Sequence, residues 1–415
     1  MQQVDVIVLG AGIVGVSTAV HLRQRGLQVA LIDRRHPGEE TSHGNAGLIA
    51  RNGFCPARFS NRAADLADIA IKQSTAVHYD LGAVFRMIPW FRRFAQHSGA
   101  QGIQRYARTM APLRALAVKE HRALSAVSNG ERFYRKSGWL QVYRSEASFR
   151  ADERERHYAR IFGVDYRELS GGDVNTVEPG LKADTLLGVF WPESESVTNP
   201  SGVVEALWRY FIQEGGLYFS GEASALEQRR SGWRISTPRK ELTAKQAVVA
   251  LGPWSADLAS GLGDRFPLAV TRGYLQHYRP RSGASLSRPV MDVDHGYILT
   301  PMEQGIRLTT GMEIAERDAP ANPVQLLRSG KRAEDIFPLG QPVPGGLWMG
   351  SRPHLPDSLP VIGASLSRPG LWYNFGHGDS GFGLGPLSGR LLADLITERD
   401  PGLDILPLSP LRFLA

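Results

Sequence analysis

The sequence predicts an α/β fold in two interleaved parts, one built on a parallel sheet and the other an α+β domain with a mixed sheet. Three observations predict it. The chain opens on a β-α-β pattern. Strand-like and helix-like segments then alternate through the middle and return at the C-terminal end. A third block, residues 265–314, alternates apolar and polar positions as a second sheet would. The 415 residues suffice for two or three domains' worth of core. Apolar residues make up 42% and charged residues 21%, which suits a folded globule and excludes general disorder. No run approaches the ~18–20 apolar residues that span a bilayer.

Val4 to Leu9 (VDVIVL) reads as a buried strand, Ile13 to Arg25 as a helix stopped by Gly26, and Val29 to Asp33 (VALID) as a second strand. From about Asp65 to Val127 the pattern is helical, with breaks expected at Pro89, Gly99, Gly102 and Pro112. Phe133 to Tyr143 reads as strands around a Ser137-Gly138 turn, and Ala147 to Phe162 as a helix. Pro200 to Glu214 is a helix ended by Gly215-Gly216, and Leu217 to Ser220 a short strand. Strands follow around Ser231-Gly232 and through Ala247 to Leu251. The tail reads as a strand (Leu371 to Phe375), a Gly-rich loop and a helix (Pro386 to Glu398). The expected division is 1–80, 195–264 and 341–415 for the first domain, and 81–194 and 265–340 for the second.

The first strand ends in Gly10-Ala11-Gly12-Ile13-Val14-Gly15. In this G-x-G-x-x-G, Gly10 allows a tight turn, Gly12 lets the backbone approach a pyrophosphate, and Gly15 lets helix pack on strand. The helix N-terminus presents N–H groups and a positive dipole end to phosphates. Asp33, closing the second strand, sits where a ribose-binding acid is required. The signature is therefore Rossmann-like and dinucleotide-binding. Arg34 beside it can take a 2′-phosphate or stack on adenine.

Further small-residue stretches follow: Ser42-His43-Gly44-Asn45-Ala46-Gly47-Leu48, Ala250-Leu251-Gly252-Pro253-Trp254-Ser255, Gly350-Ser351-Arg352-Pro353, and Gly376-His377-Gly378-Asp379-Ser380-Gly381-Phe382-Gly383. A loop of the last kind entering a helix presents N–H groups to an oxygen that gains negative charge. This set, in this order, resembles the FAD-dependent D-amino-acid oxidase superfamily, in particular the bacterial D-amino-acid dehydrogenases of the small-subunit type. The resemblance covers nearly the whole chain and is weakest from about 80 to 130.

It implies that Gly10, Ala11, Gly12, Ile13, Val14, Gly15 and Asp33 hold the ADP half of FAD, with Arg34 near the adenine and Gly252 in the same site. At the ribose position Glu is the commoner residue. Ser42, His43, Gly44, Asn45, Ala46, Gly47 and Leu48 would pass the isoalloxazine ring. Gly376, His377, Gly378, Gly381, Phe382 and Gly383 would lie at its pyrimidine end. The sole cysteine, Cys55, lies in the first half of the chain, whereas related enzymes that tether flavin use one in the second half. Non-covalent FAD is therefore expected.

The implied reaction is oxidative deamination of a D-amino acid by hydride transfer from Cα to flavin N5, with electrons passed to a quinone-type acceptor. Such chemistry asks mainly for orientation. A guanidinium forks a carboxylate, and the resemblance implies that Arg352, which matches the family arginine, pairs with the substrate carboxylate. Tyr274 is a second candidate, as a carboxylate cap or as a plain strand tyrosine. Tyr297 carries the same ambiguity, and Arg272 either reaches the pocket or is a solvated strand-edge arginine. His43 is a third, either touching flavin and substrate or hydrogen-bonding the backbone. His377 reads as a shaper of the Gly-rich loop, and Asp379 as a loop cap or an active-site charge.

Glycine, sarcosine or D-hydroxyproline oxidation is the alternative within the class, and a flavin-bearing subunit of a hetero-oligomer is another; homo-oligomers are open too. Residues 84–94 interleave aromatics with Arg, which suits either a membrane interface or an amphipathic helix pair packed on the second domain. The net charge of +7 favours anionic partners, but no basic stripe points to nucleic acid. No histidine spacing suggests a metal. The start Met1-Gln2-Gln3 lacks a basic leader, and the lone cysteine suits a reducing compartment. A cytoplasmic setting, with peripheral contact on the inner membrane face, is the expectation.

Overall fold

The computed structural model describes residues 2–56, 69–182, 184 and 186–413. Among them, two large sheets carry the architecture. In the first, the strands Leu217–Ser220, Val29–Asp33, Gln2–Leu9, Glu241–Val249 and Leu371–Phe375 run parallel in that order. Gln2–Leu9 is the centre: Val6 pairs with Val29 on one side and Gln246 on the other. Its side chains alternate between two cores. Val6 and Val8 join the core under helix Ile13–Gln24, while Ile7 and Leu9 join the opposite core with Trp233 and Phe375. A strand covered on both faces is apolar along its covered part, which is why VIVL follows Asp5, the half-buried residue that accepts the Gln28 N–H.

Helix Ile13–Gln24 is buried on nearly every side, between the sheet and helices Pro200–Gln213 and Gly381–Ile396. Strand Glu241–Val249 is shared along its length. Its first half pairs antiparallel with Gly232–Ser236, its second half parallel with Leu371–Phe375.

The second sheet has eleven strands, and its hub is the long Ala269–Arg279. This strand pairs with Gly305–Thr309 at one end and with Trp348–His354 along most of its length. Thr271 stands opposite Arg352 in that ladder. The sheet continues through Tyr297–Met302, Val290–Asp292, Trp139–Tyr143, Leu187–Trp191 and Arg167–Leu169. A core of Tyr274, Tyr297, Leu299, Leu308, Leu326 and Phe337 packs on it.

Several local expectations change. Trp348–His354 and Val77–Tyr79, placed by sequence in the first domain, are strands of the second sheet. Pairing partners distant in sequence decide this, and no local pattern reports them. Pro89 and Pro112 do not break helices but sit inside Leu81–His97 and Ala100–Val127. Each removes one backbone bond, a local loss that a long helix with tertiary contacts absorbs. The last helix starts at Gly381, not Pro386, so the end of the Gly-rich stretch, Gly381 to Gly383, is helical. Tyr134–Arg135 and Trp139–Tyr143 pair with different partners instead of forming a hairpin. The expected helix Ala147–Phe162 is two, Glu146–Ala151 and Glu153–Ile161. The beginning of the helical pattern, 65–68, lies outside the described residues.

Candidate active site

Strands Gln2–Leu9 and Val29–Asp33 end side by side at Gly10 and Asp33. Gly10 has φ +103°, and a Cβ there would run into the Ala250 carbonyl. A Cβ on Gly15 would strike the Gly10 carbonyl oxygen, so both glycines are required by the turn itself. The Asp33 carboxylate accepts the N–H groups of Ala11 (2.6 Å) and Arg35 (3.0 Å). Ser42 Oγ accepts the N–H of Ile13 at 3.0 Å, while the N-cap Gly12 brings no side chain of its own. Arg34 lies 4.5 Å over the Trp254 ring.

These residues form one end of a cavity of about 1780 Å³. Gly10, Gly12, Ile13, Val14, Asp33, Arg34 and Gly252 border it there. Ser42, Gly44, Asn45, Ala46 and Leu48 border its middle, facing Gly376, His377, Gly378, Gly381, Phe382 and Gly383. Ala11 and Gly15 lie behind the surface, the first through its N–H to Asp33, the second as a packing contact. Gly47 also lies off the cavity, at φ +72° with Val197 against it.

The first turn of helix Gly381–Ile396 carries no side-chain cap. Gly381, Phe382 and Gly383 line the cavity at this positive end of the helix dipole. Arg114 from helix Ala100–Val127 steadies this turn, donating to Ser380 Oγ at 3.0 Å and to the Gly53 carbonyl at 3.1 Å. His121 steadies the next residue. Its Nε2–H donates to the Phe382 carbonyl (3.0 Å), which leaves Nδ1 to accept from the Tyr134 hydroxyl (3.0 Å). Burial pulls this imidazole's pKa down to about 4, so it stays neutral.

Arg352 faces the same cavity from strand Trp348–His354. It donates to the carbonyls of Gly311 and Thr310, both at 3.0 Å, and its Nε lies 3.4 Å from Asp379 Oδ1. Gly273, on the neighbouring strand, leaves the room its guanidinium occupies. Enclosure alone would push the Asp379 carboxyl up. The Arg352 charge, with His354, holds it below the ordinary carboxylate range. Trp348, two alternate positions before Arg352, presses its indole against Gly44 and Gly350.

Two catalytic candidates are corrected. The His43 side chain does not border the cavity: its Nδ1 meets Ser201 Oγ at 2.9 Å, and its ring packs on Trp348. Buried Arg307 grips the carbonyls of His43 and Asn45 and turns this loop. Tyr274 is fully buried behind the sheet. Its hydroxyl donates to Glu313 (2.8 Å) and accepts the Asn322 N–H (2.8 Å). Arg272 is not at a solvated edge but buried in an ion pair with Glu313. Tyr297 donates to buried Asp292.

Sequence reasoning missed Arg114, Trp348 and an apolar stripe on helix Leu81–His97. There Met87, Trp90, Phe91 and Phe94, at helical spacing, border the cavity. Trp90 Nε1–H donates to the His354 carbonyl at 3.3 Å, two residues from Arg352. The alternation Trp348-x-Gly350-x-Arg352 could have revealed Trp348. The stripe reads equally well as core-facing, and the structure shows it facing the cavity instead of an apolar core.

FAD fits this site by its chemistry. A long channel has helix N-termini at two points and an acid at the ribose position. It also has buried polar atoms without protein partners: Thr271 Oγ1, Thr309 Oγ1, Asn374 Oδ1 and the Nε2 atoms of His354 and His377. Buried polar atoms are normally satisfied, and these five belong to residues that line the channel.

Comparison with known proteins agrees. The chain is 28% identical to a D-amino-acid oxidase of Bradyrhizobium diazoefficiens, over 99% of both chains. It is 28% identical to a D-amino acid dehydrogenase of Cereibacter sphaeroides, over 99% of this chain and 95% of that one. Among solved structures, glycine oxidase from Geobacillus kaustophilus superposes with a TM-score of 0.76 at 20% identity, covering 100% of both chains. At that identity the likeness speaks for the fold. The model of the FAD dependent oxidoreductase family matches residues 5–395, nearly the whole chain. The protein belongs to the D-amino-acid oxidase family of FAD-dependent oxidoreductases.

Proposed function

We propose that this protein oxidises D-amino acids, binding FAD non-covalently along the cavity and passing electrons to a quinone-type acceptor. The observation that carries the reading is Arg352, a guanidinium facing the cavity beside the Gly376–Gly383 turn. The names of the two relatives supply the D-amino-acid class. In this reading the parallel-sheet domain holds the cofactor and the eleven-stranded sheet supplies the substrate side. Gly10, Gly12, Ile13 and Val14 cradle the pyrophosphate, Asp33 takes the ribose and Arg34 lies by the adenine. Ser42, Gly44, Asn45, Ala46 and Leu48 flank the ring on one side and Gly376–Gly383 on the other.

FAD supplies the hydride acceptor for the substrate Cα–H. The chain's own residues orient and shield. Arg352 has five N–H donors, of which two go to carbonyls and the Nε–H lies beside Asp379, leaving two for a carboxylate. The anchored guanidinium lets the fork bind with little loss of freedom. The first turn of helix Gly381–Ile396, which lines the cavity at the positive end of its dipole, would stabilise negative charge on a bound flavin ring. The stripe Met87, Trp90, Phe91 and Phe94 roofs the pocket and excludes water. The outward Leu81, Phe85 and Ile88 of the same helix, beside Arg92 and Arg93, suit a peripheral contact with the membrane that holds the acceptor.

The same stripe favours a substrate with an apolar side chain over glycine or sarcosine, which have nothing to place against it. The test is anaerobic mixing of the yellow holoprotein with D- and L-alanine, phenylalanine and proline, and with glycine and sarcosine. Bleaching of the flavin band by D-forms with apolar side chains is expected. Bleaching by glycine or sarcosine alone would replace this reading with the second. No bleaching at all would point to a subunit that works only with a partner.

A further inference from the structure

We infer that Asp379 binds the α-ammonium group of the substrate, so that Arg352 and Asp379 together form a clamp for an amino-acid zwitterion. The inference rests on the amino-acid reading above and names a residue that reading leaves unused. An α-amino acid carries its carboxylate and its ammonium on one carbon. A site that grips both must set a cation and an anion side by side on one wall. Arg352 Nε and Asp379 Oδ1 are so placed, 3.4 Å apart, and both side chains border the cavity. That separation is longer than the ~2.7–2.9 Å of a closed charge-assisted bond. Each partner therefore keeps capacity for a ligand.

Of the other carboxylates along the cavity, Glu222 stands at its Asp33 end, next to Gly221, whose N–H bonds the Asp33 carbonyl, and the following four are committed elsewhere. Asp33 holds the N–H groups of Ala11 and Arg35. Glu40 pairs with Arg34 and Arg35. Glu155 takes the N–H groups of Phe54 and Cys55. Asp257 pairs with Arg317. Asp379 has about half of its side chain exposed to the cavity, and Arg352 is its ion-pair partner. The low carboxyl pKa noted above keeps it charged at neutral pH. A carboxylate beside the carboxylate-binding arginine weakens that arginine for a bare acid by repulsion. It strengthens the site for a zwitterion, so it selects for the amino group.

The two effects have opposite signs, and the experiment uses this. Holoenzyme and its Asp379→Asn variant are titrated with benzoate, which has no amine, by perturbation of the flavin spectrum. D-Phenylalanine affinity is taken from the concentration dependence of anaerobic flavin reduction. The expected result for Asp379→Asn is a D-phenylalanine Kd raised tenfold or more, with benzoate binding unchanged or tighter. Tightening of both ligands would show that Asp379 only screens Arg352 and overturns the inference. Weakening of both in parallel would assign it a structural role, with the same consequence. Asp379→Ser serves as a second variant should the asparagine lose FAD, and Asp379→Glu is expected to recover part of the D-phenylalanine affinity. Failure of wild-type holoenzyme to respond to any amino acid, while it still binds benzoate, would remove the amino-acid reading itself. Wild-type reduction by D-phenylalanine without the crossed pattern removes this inference alone.

Discussion

Arg352 is held by two backbone carbonyls and steered by one carboxylate, so its position is fixed before any ligand arrives. Arg352→Lys replaces a planar fork by a point charge and loses the two parallel bonds. The expected outcome is a fall in kcat/KM of roughly 10²-fold, about 2.7 kcal/mol, with the flavin spectrum retained. Steady-state kinetics with D-alanine and D-phenylalanine read it. At the other end of the cavity, Gly15→Val places side-chain atoms against the Gly10 carbonyl. Helix Ile13–Gln24 must then move off the strand it follows. The variant is expected to purify without its yellow colour, as the ratio of flavin to protein absorbance would report.

Helix Leu81–His97 has one buried residue, Ala83, in its 17 residues. Asp80 caps its start, accepting the Ala83 N–H at 2.9 Å, and Trp90 ties its middle to the strand of Arg352. Its inner stripe faces the cavity, so its sequence sets the shape of the substrate's surroundings more than the stability of the fold. Phe94→Ala opens the roof without cutting the Trp90 bond. It is expected to lower the ratio of kcat/KM for D-phenylalanine to that for D-alanine by about tenfold, since burying an aromatic side chain is worth ~1.5–3 kcal/mol. An unchanged ratio would mean that the substrate side chain points elsewhere. Helix Gly381–Ile396 plays the opposite part. It is buried along most of its length against helix Ile13–Gln24, and only its first turn reaches the site.

For the whole molecule, the consequence of so many contacts between sheets and helices is a set of buried imidazoles. Burial holds His21 at a pKa of about 3, assisted by Arg25 and Arg390, and His377 at about 3. His121 and His277 sit near 4, for burial and, at His277, for Arg307 and His43. Each folded pKa lies below the unfolded value near 6.5. Between about pH 6.5 and 4 the unfolded chain binds protons that the folded one refuses, so stability falls as pH falls through that window. Glu120 and Glu155, raised by burial, act with the opposite sign above the ordinary glutamate value. The four imidazoles outnumber them. The melting temperature of the holoprotein is expected to be flat from pH 8 to 7 and to drop steadily from pH 6.5 to 4.5, as a melt followed by flavin fluorescence would show.

What the sequence by itself determined is local or periodic. The unit Val4–Asp33 was legible because a doubly covered strand, a glycine turn and an apolar helix each leave their mark on consecutive residues. Gly10, Gly12, Asp33 and Ser42, and the Gly376–Gly383 stretch, were legible for the same reason, and the family followed from their order. Arg352 was legible as a member of a motif, not from its own type. What the tertiary structure decided is which way side chains point and which distant segments meet. His43 and Tyr274 had the right chemistry, but Arg307, 264 positions from His43, turns the one loop, and Glu313, 39 positions from Tyr274, holds the other hydroxyl in the core. Arg114 reaches Ser380 across 266 positions, and the roof of Leu81–His97 meets the Arg352 strand across a similar span. Short-range pattern reports the spacing of residues along one element. The site is made where several elements end together, and the packing of their cores sets that meeting point.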